Sequence, residues 1–282
     1  MEELTATEYP VPDHNDPLPA PEPISPDNPP WNVPAAIGVW IISVLLIVVL
    51  PSLLVLPYLL RQNLDLSNEA LLRDFANTDP MAVVLRISAL IPAHILTLLL
   101  GWMVVTRLRK YSFRQTLGWT SGGVRWWHYC IILGGFFVAI AAVGYLFPDQ
   151  ENEMKMLLQS SHAAVYIVAF MATFSAPIVE EVVYRGILFP ALQRGAGAVL
   201  AILIVTCLFA GIHFFQYWGS PGTIILICML SLVLTLIRYR TKSLLPCIIL
   251  HTLINGIQSL ALIAATFAPD EPPAAAMVHF LK

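Results

Sequence analysis

The sequence predicts an all-α, polytopic membrane bundle of about seven transmembrane helices that encloses a buried polar site. Of its 282 residues, 57% are hydrophobic and only 12% are charged. Soluble domains carry roughly 25% charged residues, so this composition is typical of an integral membrane protein. The apolar residues form stretches of about 20, the length that a helix needs to cross a bilayer. Three of the later stretches contain ionisable side chains in short polar patterns, and such side chains are rare and functional inside membranes.

Residues 1–34 precede the first apolar stretch and differ from the rest of the chain. They contain ten prolines, seven acidic residues and no lysine or arginine. A signal peptide requires a basic start and an apolar core, so this segment is not one. We expect a disordered, partly polyproline tail, followed by a membrane domain over residues 35–282.

Seven apolar segments predict the transmembrane spans in order. We expect them at residues 35–60, 81–106, 129–147, from 163 into a pair of glutamates, within 197–218, at 222–237 and at 244–268. Pro177 and Pro190 are expected to interrupt the fourth span. With the N-terminus inside, ten lysines and arginines fall on the inner side and four on the outer side, as the positive-inside rule requires.

Three short patterns place polar residues within the later spans. Their residues are Glu180, Glu181 and Arg185 in the first pattern, Phe209 and His213 in the second, and His251 and Asn255 in the third. Each ionisable group costs about 2.5–3.5 kcal/mol to insert at the centre of a membrane helix. A set of this size therefore predicts a pocket in which the three helices converge. Arg86 and His94 in the second span are expected to be a paired or snorkelling arginine and a core histidine.

Helical spacing assigns different roles to the two glutamates. Glu181 and Arg185 are four residues apart, so they share a helix face and are expected to form a structural ion pair. Glu180 points about 100° away from Glu181 and has no charged partner on its own helix. Its neighbour one turn on is Tyr184, a candidate hydrogen-bond donor. Glu180 is therefore the carboxylate that is free for chemistry.

The residues leave two catalytic arrangements open. Glu180, His213 and His251 could hold Zn²⁺ with a fourth position open for water. Alternatively, Glu180 and His213 activate water without a metal, while His251 and Asn255 donate hydrogen bonds to a developing oxyanion.

Three non-hydrolytic readings compete with these arrangements. The polar side chains could simply stabilise helix–helix contacts. The same pocket could bind a peptide in a non-catalytic membrane scaffold or bacteriocin-immunity protein. An ion-coupled carrier is disfavoured because the chain has no internal repeat. The small net charge of −3 and the lack of a basic aromatic patch argue against nucleic-acid binding.

The three patterns resemble the CPBP (Abi or CAAX protease) family of intramembrane metalloproteases. That family carries Glu-Glu-x-x-x-Arg, Phe-x-x-x-His and His-x-x-x-Asn on separate membrane helices, and all three occur here in the same order. The resemblance covers residues 160–262. Many relatives have phenylalanine at the position of Tyr184.

The resemblance implies an intramembrane endopeptidase whose pocket opens towards the cytoplasm. It implies that Glu180 and His213 activate water, that His251 and Asn255 complete the site, and that zinc assists. The expected partners are the lipid bilayer and a membrane-associated substrate of prenylated or bacteriocin type. A bacterial inner membrane is the expected location.

One expectation concerns depth. If the fifth span began at residue 197, His213 would lie about 24 Å along it, whereas His251 is only about seven residues into its own span. We therefore expect residues 190–199 to form a loop that dips into the protein, so that the span begins near Ile202.

Overall fold

The computed structural model describes residues 23–65, 67–148 and 152–267, and these residues form a bundle of helices. Within these residues, six helical stretches are long and apolar enough to cross a membrane: Val33–Leu60, Pro80–Thr106, Trp126–Leu146, His162–Ala196, Pro221–Thr241 and Leu245–Ala265. A shorter apolar helix, Ala198–His213, lies between the fourth and fifth of them. The protein is thus an integral, multi-pass membrane protein of the predicted class.

The first half of the chain supplies α1 to α7. Helix α1 (Val33–Leu60) begins at the cap residue Asn32, whose side chain accepts a hydrogen bond from the amide of Ala35. The six that follow are α2 (Glu69–Thr78), α3 (Pro80–Ser88), α4 (Leu90–Thr106), α5 (Phe113–Thr116), α6 (Trp126–Leu146) and α7 (Glu153–Ser160). Helix α1 packs along α3 and α4, which continue each other past Ala89.

The second half forms the part of the bundle that carries the motifs. One 35-residue stretch contains α8 (His162–Phe170), a first π-helical segment (Met171–Ser175), α9 (Ala176–Glu180), a second π-helical segment (Glu181–Leu188) and α10 (Phe189–Ala196). It is followed by α11 (Ala198–His213), α12 (Pro221–Thr241) and α13 (Leu245–Ala265). The main apolar core surrounds the second π segment and includes buried side chains from α1, α4, α10, α11 and α13.

The long fourth stretch differs from the prediction that prolines interrupt it. Pro177 and Pro190 both lie within continuous helix, each shortly after a π-helical segment. Proline lacks an amide hydrogen and normally breaks an α-helix. Here the wider turn of the π segments changes the hydrogen-bond register just before each proline, so that the helix continues.

The expected dipping loop at residues 190–199 is wrong. Those residues are helical in α10, and α11 begins at Ala198 immediately after Gly197. Gly197 has φ +82°, a backbone conformation that glycine adopts without strain, and this allows the sharp reversal between the two helices. At about 50 Å, the fourth stretch is longer than the roughly 30 Å hydrocarbon core, so its end and the start of α11 can lie outside it.

The predicted tail is described only from residue 23 onward. From there to Asn32 the backbone has no helix or strand, but it packs against the bundle, and Pro29, Pro30 and Trp31 are buried. The expected disorder therefore does not extend to residues 23–34. Residues 1–22 lie outside the described part.

Candidate active site

Asn255 on α13 is held by a backbone group that a proline leaves unpaired. At the end of the first π segment, the amide of Ala176 donates to the carbonyl of Met171, five residues back. In the same register the carbonyl of Ala172 would accept a hydrogen bond from the amide of residue 177. That residue is proline, which has no amide hydrogen to donate. The side-chain nitrogen of Asn255 fills this position, with Nδ2 2.9 Å from the oxygen of Ala172.

The second π segment repeats the arrangement thirteen residues later. The amide of Phe189 donates to the carbonyl of Tyr184, so the carbonyl of Arg185 would be paired with Pro190. Because Pro190 has no amide hydrogen, that carbonyl is available, and it accepts a hydrogen bond from Nε of Arg238 at 3.2 Å. Side chains from two other helices, Asn255 and the buried Arg238, thus complete the backbone pairing of the helix that carries Glu180 and Glu181.

Glu181 is the centre of a buried ion-pair network. Its Oε1 lies 2.9 Å from Nη1 of Arg185, and both side chains are fully buried. The same oxygen lies 2.8 Å from Nδ1 of His251 on α13. Arg185 also donates from Nε to the hydroxyl of Thr235 and from Nη2 to both oxygens of Ser231, all on α12. The predicted Glu181–Arg185 pair is therefore present, and it links three helices.

Glu181 also fixes the orientation of the His251 ring. A histidine nitrogen that faces a carboxylate carries the proton, so Nδ1 of His251 donates to Glu181. In the neutral ring the opposite nitrogen, Nε2, then has a free lone pair. That nitrogen lies 3.8 Å from Oε2 of Glu180, which is beyond hydrogen-bond distance.

Glu180 is the last residue of α9, and its side chain is partly exposed. Its side chain is 20% exposed, whereas that of Glu181 is fully buried. Within the described part of the chain, the contact with His251 is the nearest ion pair that Glu180 makes. The two adjacent glutamates thus have the two environments that helical spacing predicts, one enclosed and one available.

Phe209 on α11 is the packing centre of the site. Its ring centroid lies 5.1 Å from those of Tyr184 and His213 and 6.1 Å from that of His251. The guanidinium carbon of Arg185 lies 4.6 Å from the same ring, within the range of a cation–π interaction. The four-residue spacing of Phe209 and His213 therefore brings aromatic and ionic groups of the motifs together.

His213 and Tyr184 face partners other than Glu180. The Nδ1 atom of His213 lies 2.8 Å from the carbonyl oxygen of Phe209, on its own helix, which leaves Nε2 available. The hydroxyl of Tyr184 accepts a hydrogen bond from the indole nitrogen of Trp40 on α1 at 3.0 Å. His94 lies on α4 as a buried side chain and bonds through Nδ1 to the hydroxyl of Ser175 at 3.0 Å.

The expected zinc ligands have suitable chemistry but are not gathered as a metal site. Glu180 offers an oxygen, and His213 and His251 each offer an Nε2, the donor types that zinc prefers. In residues 23–65, 67–148 and 152–267, however, no three His, Cys, Asp or Glu side chains are grouped so that they could hold a metal ion. The contacts between these side chains link Glu180 to His251 but include none from His213 to either of them in the described part of the chain, and zinc binding stays a prediction.

Several residues of the site have no counterpart in the sequence motifs. Ser231 and Thr235 carry a weak signal, since they are polar, four residues apart and within an apolar span. Trp40 and Arg238 carry no such signal, because their roles depend on contacts with residues more than 50 positions away in the chain.

A family comparison matches the part of the chain that holds these residues. Residues 162–257, about a third of the chain, match the family model for type II CAAX prenyl endopeptidase Rce1-like proteins. This match is consistent with the CPBP/CAAX protease family. The resemblance drawn from the three motifs is thereby confirmed, and every motif residue from Glu180 to Asn255 lies inside the matched range.

A second similarity is shorter. An 85-residue stretch is 32% identical to plasma membrane ascorbate-dependent reductase CYBRD1 of Xenopus tropicalis, and it covers 28% of this chain. The chain spans 30% of the length of that curated relative. No solved structure matches the chain.

Proposed function

We propose that the protein is an intramembrane endopeptidase that hydrolyses a peptide bond of a membrane-associated substrate with activated water. The main observation in support of this proposal is the pair formed by Glu180 and His251. Glu180 is partly exposed, and among the residues that the structure describes it forms an ion pair with His251, whose ring is oriented by the buried Glu181. The family match over the same helices supports hydrolytic chemistry.

The distance between the two side chains suits a shared water molecule. A water at about 2.8 Å from each of Oε2 of Glu180 and Nε2 of His251, 3.8 Å apart, would have an angle of about 85° at its oxygen. Glu180 would accept a proton from this water while the water oxygen bonds to the carbonyl carbon of the peptide. The carbon–nitrogen bond then breaks, and Glu180 returns the proton to the leaving nitrogen.

The oxyanion formed in this reaction needs hydrogen-bond donors. Asn255 uses one N–H to hold the carbonyl of Ala172, and its second N–H is available for a substrate oxygen. We propose His251 chiefly as a partner of Glu180 in holding water. This differs from the donor role that the metal-free arrangement gives it in the sequence analysis, because the proton of the neutral ring is directed at Glu181.

The substrate is proposed to approach from the inner half of the membrane. His251 is the seventh residue of α13, about 9 Å from the helix start, which the positive-inside rule places on the inner side. This depth suits a peptide bond near the inner surface, and the family match favours a prenylated substrate over a bacteriocin-like one. The bacterial inner membrane stays a prediction.

The test compares membranes from cells that express wild type or Glu180→Gln at equal level. Terminus-selective mass spectrometry should detect new protein ends with wild type and none with the variant, because glutamine cannot accept the proton. Glu69→Gln, an exposed carboxylate on α2, is the matched control and should retain cleavage. Cleavage that persists in Glu180→Gln would refute the role of Glu180. A biological effect retained by Glu180→Gln without any cleavage would favour the scaffold or immunity protein.

Zinc assistance is a separate prediction with its own measurement. The purified wild-type protein and Glu180→Gln are compared for metal content by elemental mass spectrometry, and for activity before and after dialysis against a chelator. Stoichiometric zinc in wild type that falls in the variant would support Glu180 as a ligand. Full activity in metal-free wild type would refute zinc assistance.

A further inference from the structure

The last part of the predicted tail, just before α1, packs against the C-terminal part of the helical stretch His162–Ala196. We call residues 23–32 the N-terminal strap. Trp31 is 4% exposed, and its indole nitrogen donates to the carbonyl of Ile187 in the second π segment at 3.0 Å. Arg194 on α10 donates to the side chain of Asn28 and to the carbonyls of Pro29 and Trp31. The strap is therefore joined to the same helix that carries Glu180 and Glu181.

A second set of contacts joins the strap to Arg238 on α12. The Arg238 side chain is fully buried, and its Nη2 donates to the carbonyl of Pro26 at 2.6 Å. Its Nη1 lies 3.4 Å from the carboxylate of Asp27. The other oxygen of Asp27 lies 3.0 Å from the exposed amine of Lys242. A buried guanidinium requires compensation for its charge, and within the described part of the chain Asp27 is the carboxylate that supplies it.

Arg238 connects these contacts to the site. Its Nε donates to the carbonyl of Arg185, the group that Pro190 leaves without an amide partner. Arg185 is the residue whose side chain holds Glu181, and Glu181 holds His251. A continuous chain of hydrogen bonds thus runs from the strap through Arg238 to the histidine beside Glu180.

We infer that the N-terminal strap, acting through Arg238, positions the catalytic helix for peptide hydrolysis. Asp27 and Pro26 hold the Arg238 guanidinium, and Arg238 replaces the hydrogen bond that Pro190 cannot make. This keeps the π-helical register of Glu181–Leu188, and with it the orientation of Glu181 towards His251. Arg238 and Asp27 are positioning residues, because neither contacts Glu180 or His251.

The geometry explains why an acidic residue is needed at position 27. Without the carboxylate, the charge of the buried Arg238 guanidinium is uncompensated, and the side chain is more stable when it moves towards water. The carbonyl of Arg185 then loses its hydrogen-bond donor. A carbonyl inside a membrane protein has no water to replace that donor. The second π segment should then open locally while the surrounding helices remain packed.

The first measurement is hydrogen–deuterium exchange on purified protein in detergent, and it does not depend on the proposed function. Asp27→Asn removes the charge and keeps the shape. The amides of the second π segment should exchange about 10- to 100-fold faster in this variant, as expected for loss of a hydrogen bond to a charged group. The amides of α6, which is remote from the strap, should be unchanged. Lys242→Met is the matched control and should leave exchange unchanged, because the Lys242 side chain pairs with Asp27, while its hydrogen bond to the carbonyl of Arg238 comes from the backbone and is kept in the variant. Unchanged exchange in Asp27→Asn would overturn the inference.

The second measurement is peptide cleavage, and here the inference rests on the proposed function. In Asp27→Asn and Arg238→Lys, kcat should fall at least tenfold while KM changes less than twofold, since the strap orients the site without contacting substrate. Asp27→Glu, which restores the carboxylate, should recover most of the lost kcat. If wild type cleaves nothing, the proposed function fails while exchange still tests the strap. Faster exchange with normal kcat would overturn the positioning role.

Discussion

The buried pair of Glu181 and Arg185 gives the sharpest test of how the site is stabilised. Glu181→Gln keeps the shape of the side chain but removes its charge. The fully buried Arg185 would then lack its carboxylate, although Ser231 and Thr235 would still accept its other hydrogen bonds. Removal of one partner of a buried ion pair costs about 3–5 kcal/mol. For a chain of this size, that cost corresponds to a fall in Tm of roughly 6–20 °C.

A double-mutant cycle separates the pair from its surroundings. Arg185→Met should be about as destabilising as Glu181→Gln, because it leaves the carboxylate buried with only His251 as a partner. The double variant should be more stable than the sum of the two effects predicts, since neither charge remains unpaired. Thermal unfolding in detergent can be followed by the reaction of the buried Cys247 with a thiol-reactive dye, after substitution of the other three cysteines. Additive effects in the double variant would refute the coupling.

Two further predictions concern side chains outside the ion pair. Tyr184→Phe should lower Tm by roughly 2–4 °C, because the indole N–H of Trp40 loses its acceptor and the protein loses about 1 kcal/mol of stability. An unchanged Tm would show that this hydrogen bond does not stabilise the protein. Gly118→Ala should be more harmful than Gly123→Ala, although both glycines have positive φ and incur about 1–2 kcal/mol of backbone strain. A Cβ at position 118 would lie 2.4 Å from the carbonyl oxygen of Lys242, while one at position 123 meets nothing within 4 Å, so equal shifts in Tm would contradict this account.

The sequence was sufficient to predict the fold class and the convergence of the motif helices. Apolar stretches of bilayer length predict the spans, and the cost of buried charge predicts the Glu181–Arg185 pair. Both features depend on the spacing of residues close together in the sequence. The continuity of the fourth helical stretch could not be predicted. Pro177 and Pro190 break helices on average, and their tolerance here depends on Asn255 and Arg238, which reach them from later helices.

The N-terminal strap shows that amino-acid composition alone does not decide whether a segment is ordered. A segment rich in proline and acids is typical of disorder, and this remains the expectation for residues 1–22. Residues 23–32 are ordered because Asp27 meets Arg238, a residue 211 positions later in the chain. Pairings at such separation leave no periodic signal, so neither the strap nor the role of Arg238 was accessible from one sequence.

The two carbonyls that depend on distant donors also constrain how the protein is assembled. The helix from His162 to Ala196 is synthesised before α12 and α13, which carry Arg238 and Asn255. Until those helices enter the membrane, the carbonyls of Ala172 and Arg185 have no hydrogen-bond donor. The bilayer core contains almost no water to replace one, so each unpaired carbonyl costs several kcal/mol. This helix should therefore remain close to the insertion machinery, or to water, until the C-terminal helices arrive, and chains that end before α13 should be unstable in the bilayer and be degraded.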